Sequence, residues 1–187
     1  MKKLVVVVSS PPGSGGSTIA KVLAKKLKIK YFSPGEYFKK LSGKKGNETK
    51  AALSYLKTKE GASKTLHEHI DKLQIEKAEK GNIVLEGTLS IHFLKELSDC
   101  KIWIGASLEK RAERTSRRDG ISVEDALKKV GERENMERHL FKKLYGFDYL
   151  DQKREADLVI DTSYLTVDQV VNKILKFIKE KGSNLRN

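Results

Sequence analysis

The apolar residues of this chain fall into two rhythms. Short, nearly unbroken runs occur at Leu4–Val8, around Ile29–Phe32, at Ile83–Leu85, at Lys101–Ala106 and at Leu158–Asp161. Most are β-branched, as expected of strands covered on both faces. Between them the apolar positions change to helical spacing. Thr18–Leu27 carries Ile19, Val22, Leu23 and Leu27 on one side, and Ser63–Lys80 is long and amphipathic. Leu108–Arg118 follows a Ser107 cap with Glu109 in its first turn. Val123–Leu144 starts after Gly120-Ile121-Ser122. Val167–Lys181 opens on Thr166-Val167-Asp168-Gln169, a capping-box pattern, with Gly182 as its stop and Ser183–Asn187 as a frayed tail.

Strands alternating with helices predict an α/β fold around a parallel sheet. Two segments depart from the core pattern. Residues 34–80 form a long helical insertion between the second and third strands, and residues 119–150 are unusually charged and read as a flap. No repeat or long linker divides the 187 residues, which fit one domain.

The first strand runs into Ser9-Ser10-Pro11-Pro12-Gly13-Ser14-Gly15-Gly16-Ser17-Thr18, and this small-residue loop opens a helix. That is the layout of a P-loop, where converging backbone N–H groups and a helix N-terminus hold phosphate. Against the pattern G-x-x-x-x-G-K-[ST], Gly15 and Ser17 fit, while Ser10 and Gly16 stand where the first glycine and the lysine belong. The competing reading is an ordinary glycine-rich βα turn; the strand before, the helix after and the preserved loop length favour the phosphate site. Ser10–Thr18 are therefore the candidate ATP-binding residues, and Ser17 is the candidate hydroxyl ligand to Mg²⁺. A preorganised charge at a transferring phosphoryl is worth about 2.7–4 kcal/mol, or roughly 10²–10³ in rate. The missing lysine therefore asks for another cation or for a protein that binds without turnover.

Charge supplies candidates. The formal net charge is +13. Lysines are spread among acids, which reads as a solvated surface, and the same field would steer anions. No aromatic-and-basic nucleic-acid motif is present. Arginines are more concentrated: Arg111, Arg114, Arg117, Arg118, Arg133 and Arg138 bracket the start of the flap, and Arg111, Arg114 and Arg118 share a helical face. Arginine forks bind phosphate oxygens in pairs, although Glu109, Glu113, Glu132, Glu134 and Glu137 could equally occupy them on a solvated helix pair.

The single cysteine, Cys100, excludes an internal disulfide and reads as a packed thiol. His67, His69, His92 and His139 lack metal-ligand spacing and read as solvated. The five apolar residues after Met1-Lys2-Lys3 are too few for a signal peptide or membrane span, so a cytoplasmic protein is expected.

Nearly the whole chain resembles the nucleoside monophosphate kinases, most of all the archaeal type of cytidylate kinase. The resemblance rests on Ser10–Ala20, Ser33-Pro34-Gly35-Glu36-Tyr37-Phe38, Ile83-Val84-Leu85-Glu86-Gly87 and Ser107–Arg114. It rests further on Asp119–Leu127, Arg133-Glu134, Lys143–Asp148 and Asp157–Ser163. It implies a P-loop three-layer α/β/α fold with a five-stranded parallel sheet, a monophosphate-binding insertion and an arginine-rich lid. It implies ATP-dependent phosphorylation of CMP or dCMP with Mg²⁺. Archaeal members often carry threonine in place of the P-loop lysine. Carried onto this sequence, Arg114, Arg118 and Arg133 become the catalytic cations and Lys39 and Arg111 the holders of the acceptor phosphate. Asp71 would contact the cytosine, and Glu86 would orient Mg²⁺-bound water or the lid arginines. Asp148 and Asp161 would brace the flap or the sheet end. Lys39 and Thr88 replace arginines of the family pattern. Two alternatives follow: a nucleotide-binding module with little turnover, or the same fold acting on another acceptor. A monomer is expected.

Overall fold

The computed structural model describes residues 3–41 and 48–184. Residues 42–47 of the expected insertion and the last three of the expected tail lie outside the described residues. Five parallel strands, β1 (Val5–Ser9), β2 (Lys30–Phe32), β3 (Ile83–Glu86), β4 (Cys100–Gly105) and β5 (Leu158–Asp161), form one sheet in the order β2-β3-β1-β4-β5. Register runs Val5 to Ile83 on one side of β1 and Val6 to Cys100 on the other. All five sequence-expected strands form, within a residue or two of their expected ends.

Alternation in β1 divides the core in two. Val6 and Val8 pack with Ile19 and Leu23 of α1 (Gly16–Leu27) and Val171 and Ile174 of α8 (Val167–Asn184). Val5 and Val7 point the other way, to Ala78 of α4 (Lys64–Lys80) and to Ile91 and Leu94 of α5 (Ser90–Leu94). Phe141 of α7 (Val123–Tyr145) and Tyr149 complete that second cluster. Helices on both faces give the three-layer architecture. Cys100 is buried and unpaired, and burial pushes its thiol up to about 11, out of the nucleophilic range.

Capping follows the sequence. Ser107 Oγ accepts from the Lys110 N–H to open α6 (Leu108–Asp119), and Ser122 Oγ accepts from the Asp125 N–H to open α7. Thr166 and Gln169 exchange both bonds of the capping box. Three expectations are corrected. α8 passes through Gly182 to Asn184, where no neighbour meets the exposed glycine and a helical glycine costs only about 1 kcal/mol. The charged segment 119–150 is partly core: α7 buries Ala126, Val130 and Phe141, and a 3₁₀ turn at Tyr149–Arg154 buries Tyr149. Its polar faces hid a sparse apolar stripe. His67 is buried, its Nε2–H donating to the Gly61 carbonyl, and His92 stacks on Phe147, so neither is a solvated histidine.

The insertion holds α2 (Pro34–Leu41), α3 (Glu48–Leu56) and α4. Among the described residues it bonds to the α6–α7 hairpin at several points. The Thr49 N–H donates to Asp119 Oδ2, Lys57 pairs with Glu132 at 2.7 Å, and Tyr145 O–H donates to Asp71.

Candidate functional site

The strand order switches sides at β1: β3 and β2 lie on one side of it and β4 and β5 on the other. Open α/β sheets bind ligands at the strand C-termini beside such a switch. A cleft of about 890 Å³ lies there, within the range of small-ligand sites. Every residue from Ser10 to Thr18 lines it, together with Lys39, Asp71, Glu86, Arg114, Arg118 and Arg133.

The loop's shape comes from its glycines. Gly13 and Gly15 have φ of +82° and +91°, the left-handed region that glycine enters without penalty. A Cβ on Gly13 would also stand 3.0 Å from the Arg111 backbone oxygen. Gly15 is the N-cap of α1, so the loop delivers its N–H groups to a helix N-terminus. The buried Ser14 Oγ has no protein partner. This cradle fits a polyphosphate.

Mg²⁺ can also be accommodated. Among the described residues no group of three His, Cys, Asp or Glu could cage a metal, and Mg²⁺ held beside nucleotide draws mostly on phosphate and water oxygens. Ser17, in the first turn of α1, and the Glu86 carboxylate offer the protein oxygens. Such an ion would neutralise charge between donor phosphates.

Arginines surround the loop in different ways. Arg114 Nη1 donates to the Ser14 carbonyl at 3.0 Å and to Thr162 Oγ1 at 3.0 Å, while Nη2 donates to the Thr162 carbonyl. Arg111 lies behind the loop, outside the cleft lining. Its Nη1 donates to the Pro12 carbonyl at 3.2 Å and pairs with Glu134 at 2.7 Å. The resemblance implies Arg111 at the acceptor phosphate; in the structure its guanidinium braces the loop instead. Arg118 donates to Asp119 and to Thr49 Oγ1, and Arg133 Nε donates to Glu137 Oε1 at 2.7 Å. Glu137 Oε2 remains buried without a partner. Arg138 pairs with Asp148 outside the cleft lining, and Asp161 accepts from Ser163 at the end of the sheet.

Glu86 ends β3 in the middle of the cleft. Its Oε2 accepts from Ser33 Oγ at 3.0 Å, and the same Ser33 Oγ accepts from the Glu36 N–H at the start of α2. Burial pushes the Glu86 carboxyl up to about 7, against the pull of Ser33, Lys39 and Arg133. Asp71 is likewise pushed up to about 6 by burial, opposed by hydrogen bonds from Tyr145 and Gln74. Gln74 in turn accepts from Ser90 Oγ at 3.0 Å. His67, Phe38 and Phe141 form the apolar wall beside them.

Ser33, Gln74, Glu137 and Tyr145 were missed as site residues in the sequence. Ser33 and Tyr145 lie inside family-like segments; Gln74 and Glu137 carry no signal, because their roles depend on a partner 16 positions away or on one orphaned oxygen.

A phosphate loop at the switch point of a five-stranded parallel sheet, roofed by arginine-bearing helices, defines the class: a P-loop kinase fold. Solved structures agree. Shikimate kinase from Acinetobacter baumannii in complex with shikimate superposes with a TM-score of 0.61 at 17% identity, covering 95% of this chain and 93% of that one. An uncharacterized protein from Eubacterium ventriosum superposes with a TM-score of 0.69 at 19% identity, covering 95% and 99%. These establish the fold alone.

Sequence relatives narrow the class. Residues 5–164 match the cytidylate kinase-like family. Cytidylate kinase of Ignicoccus hospitalis is 39% identical over 176 residues, 93% of this chain and 98% of that protein. Cytidylate kinase of Methanocaldococcus jannaschii is 37% identical over 172 residues, 90% and 94% of the two chains. The chain belongs to the cytidylate kinase-like family, and this kinship supports nucleoside monophosphate kinase activity. No described helix is long and apolar enough to cross a membrane.

Proposed function

We propose that this protein transfers the γ-phosphoryl group of ATP, with Mg²⁺, to CMP or dCMP. The observation that carries the reading is one cleft that joins a complete backbone phosphate cradle to a second, differently built end. Lys39, Asp71 and Arg133 line the same cleft as the loop, together with the apolar Phe38 and Phe141. One end suits a donor triphosphate, the other a base and a single phosphate.

The chain's residues divide the work. Loop N–H groups from Gly13 to Thr18 hold the donor phosphates, and Ser17 presents a hydroxyl to the metal. Arg114, Arg118 and Arg133 neutralise charge as the phosphoryl group passes in line between two oxygens. Lys39 attracts the acceptor phosphate as a point charge, with Arg111 holding the loop it faces. Asp71 accepts from the exocyclic amino group of the base. Glu86 acts through Ser33 on the start of the insertion. No side-chain base is required, because the attacking phosphate oxygen is already anionic.

A specific observation favours a second reading, a nucleotide-binding module with little turnover. Gly16 offers no cation, and Arg114, Arg118 and Arg133 all have protein partners. A coupled ADP-release assay with ATP, Mg²⁺ and each of CMP, dCMP, UMP and AMP decides. CMP or dCMP is expected to raise the rate at least tenfold over no acceptor. A larger rise with UMP or AMP would assign the site to another acceptor. No rise with any of them, together with retained ADP binding, would establish the module.

A further inference from the structure

Gly13 and Gly15 are required by their backbone angles; Gly16 is not. It opens α1 with ordinary helical backbone and is absent from the positive-φ positions. Its lack of a side chain has a different origin, which is volume. A Cβ on Gly16 would fall 2.3 Å from Ser10 Oγ, 3.2 Å from Ser10 Cβ and 2.9 Å from Glu86 Oε1. Real Cβ atoms essentially never come within 3.0 Å of another heavy atom, so both Ser10 Oγ and Glu86 Oε1 would have to move. The obstruction is chiefly Ser10, which stands where the P-loop pattern has its first glycine and is only 8% exposed. The chain's two departures from that pattern therefore touch each other.

We propose that Ser10 and Gly16 form one interlocked position: the loop has room for a single side chain there, and Ser10 fills it, placing its hydroxyl over the first turn of α1 as a phosphate-binding donor where the lysine side chain would begin. The inference rests on the reading of Ser10–Thr18 as a polyphosphate site. Three consequences follow from the packing. A lysine at residue 16 cannot enter while Ser10 and Glu86 keep their present side-chain positions, because its Cβ needs the space of Ser10 Oγ and Glu86 Oε1. Rotating Ser10 about its Cα–Cβ bond would free that space by moving the hydroxyl from its present place against Gly16. The loop's missing positive charge is thus not a single-site loss, and restoring it takes two changes.

Exchanging the two residues tests this. ADP binding is measured by titration calorimetry, with thermal unfolding as a folding control, on Ser10→Gly, Gly16→Ser and the exchange variant Ser10→Gly/Gly16→Ser. Each single change is expected to weaken ADP binding about tenfold, one by losing a donor to an anion and the other by crowding. Independent positions would make the double about 100-fold weaker. The interlock instead predicts that the exchange variant returns to within about threefold of the parent, since one hydroxyl again fills the shared space. Should Gly16→Ser fail to fold, the same expectation holds for the exchange variant, which restores the packing. A parallel pair sharpens the result: Gly16→Lys alone is expected to bind ADP more weakly than the parent, and Ser10→Gly/Gly16→Lys more tightly than Gly16→Lys by at least tenfold. A product-like loss in the exchange variant, or tighter binding by Gly16→Lys alone, overturns the interlock. A parent protein that binds no ADP overturns the phosphate-loop reading itself, which separates the two failures.

Discussion

The two ends of the cleft are held in different ways. At the loop end, main chain does the holding: two glycines at positive φ, a helix N-terminus, and carbonyls of Pro12 and Ser14 that accept from Arg111 behind the loop and from Arg114 on the cleft side. At the acceptor end, side chains hold one another: Tyr145 to Asp71, Asp71 to Gln74, Gln74 to Ser90, Ser33 to Glu86 and Arg133 to Glu137. A backbone cradle recognises phosphate whatever it is attached to. A side-chain network can be retuned by single substitutions, so discrimination between acceptors belongs there. The largest effects of mutation should then come from cations at the loop end, and the subtler ones from the acceptor network.

Arg114 and Arg111 break the comparison most sharply, because they sit one helical turn apart and only Arg114 lines the cleft. Arg114→Met is expected to lower kcat/KM for phosphoryl transfer by about 10³, the lower end of what a phosphate-directed arginine supplies. Steady-state kinetics with ATP and CMP measure it, and a loss below tenfold would remove Arg114 from the catalytic set. Arg111→Met should act on stability instead. It leaves Glu134 in a largely buried site without its partner, a change that costs about 3 kcal/mol. Denaturant unfolding measures that loss, and the KM for CMP should move less than threefold. A large rise in that KM with unchanged stability would return Arg111 to the acceptor phosphate.

The same contrast explains what the sequence made legible. The strands, the capped helices and the loop could be read because each depends on neighbours within a few positions: β-branched runs, Ser107 and Ser122 before their helices, glycines before α1. The family-like segments placed Arg114, Arg118 and Arg133 at the cleft. The bracing role of Arg111 was not legible, since its partners Pro12 and Glu134 lie 99 and 23 residues away. Nor could a charged segment announce that Phe141 and Tyr149 belong to the core, because four aromatic residues among many lysines and glutamates leave hydropathy low. Gly16 shows the limit best. As a letter it reads as a lost lysine; in space it is the counterpart of Ser10.

At the acceptor end, Tyr145→Phe removes the donor that α7 extends to Asp71 on α4. Burial already pushes the Asp71 carboxyl up to about 6, and this hydrogen bond opposes the rise. Losing it raises the value further, so a larger share of Asp71 is protonated at pH 7 and unable to accept from a base amino group. KM for CMP is expected to rise up to about tenfold, with ADP affinity unchanged. Raising the pH to 8 should recover part of the loss, since Asp71 then ionises. An equal loss at both pH values would show that Tyr145 acts on packing alone.

Glu86 lies where the two ends meet, and its effect should be the smallest. Its carboxyl is pushed up to about 7 by burial, with the Glu36 charge adding to the rise and Ser33, Lys39 and Arg133 opposing it. Below pH 7 it is neutral in the folded protein; above, it places a negative charge beside Gly16 and the phosphate cradle. ADP affinity should therefore fall a few-fold between pH 6 and pH 8 beyond the change due to the nucleotide's own ionisation. Stability has the same sign. The unfolded chain releases this proton near the ordinary value of 4.5, so between about 4.5 and 7 the folded state binds more protons and loses stability as pH rises. Glu86→Gln keeps the acceptor for Ser33 Oγ while removing the titration. The pH dependence of ADP Kd, measured by calorimetry across that range, should be flatter in the variant than in the parent. If both proteins show the same slope, Glu86 is ionised throughout, and its charge is already balanced by Lys39 and Arg133.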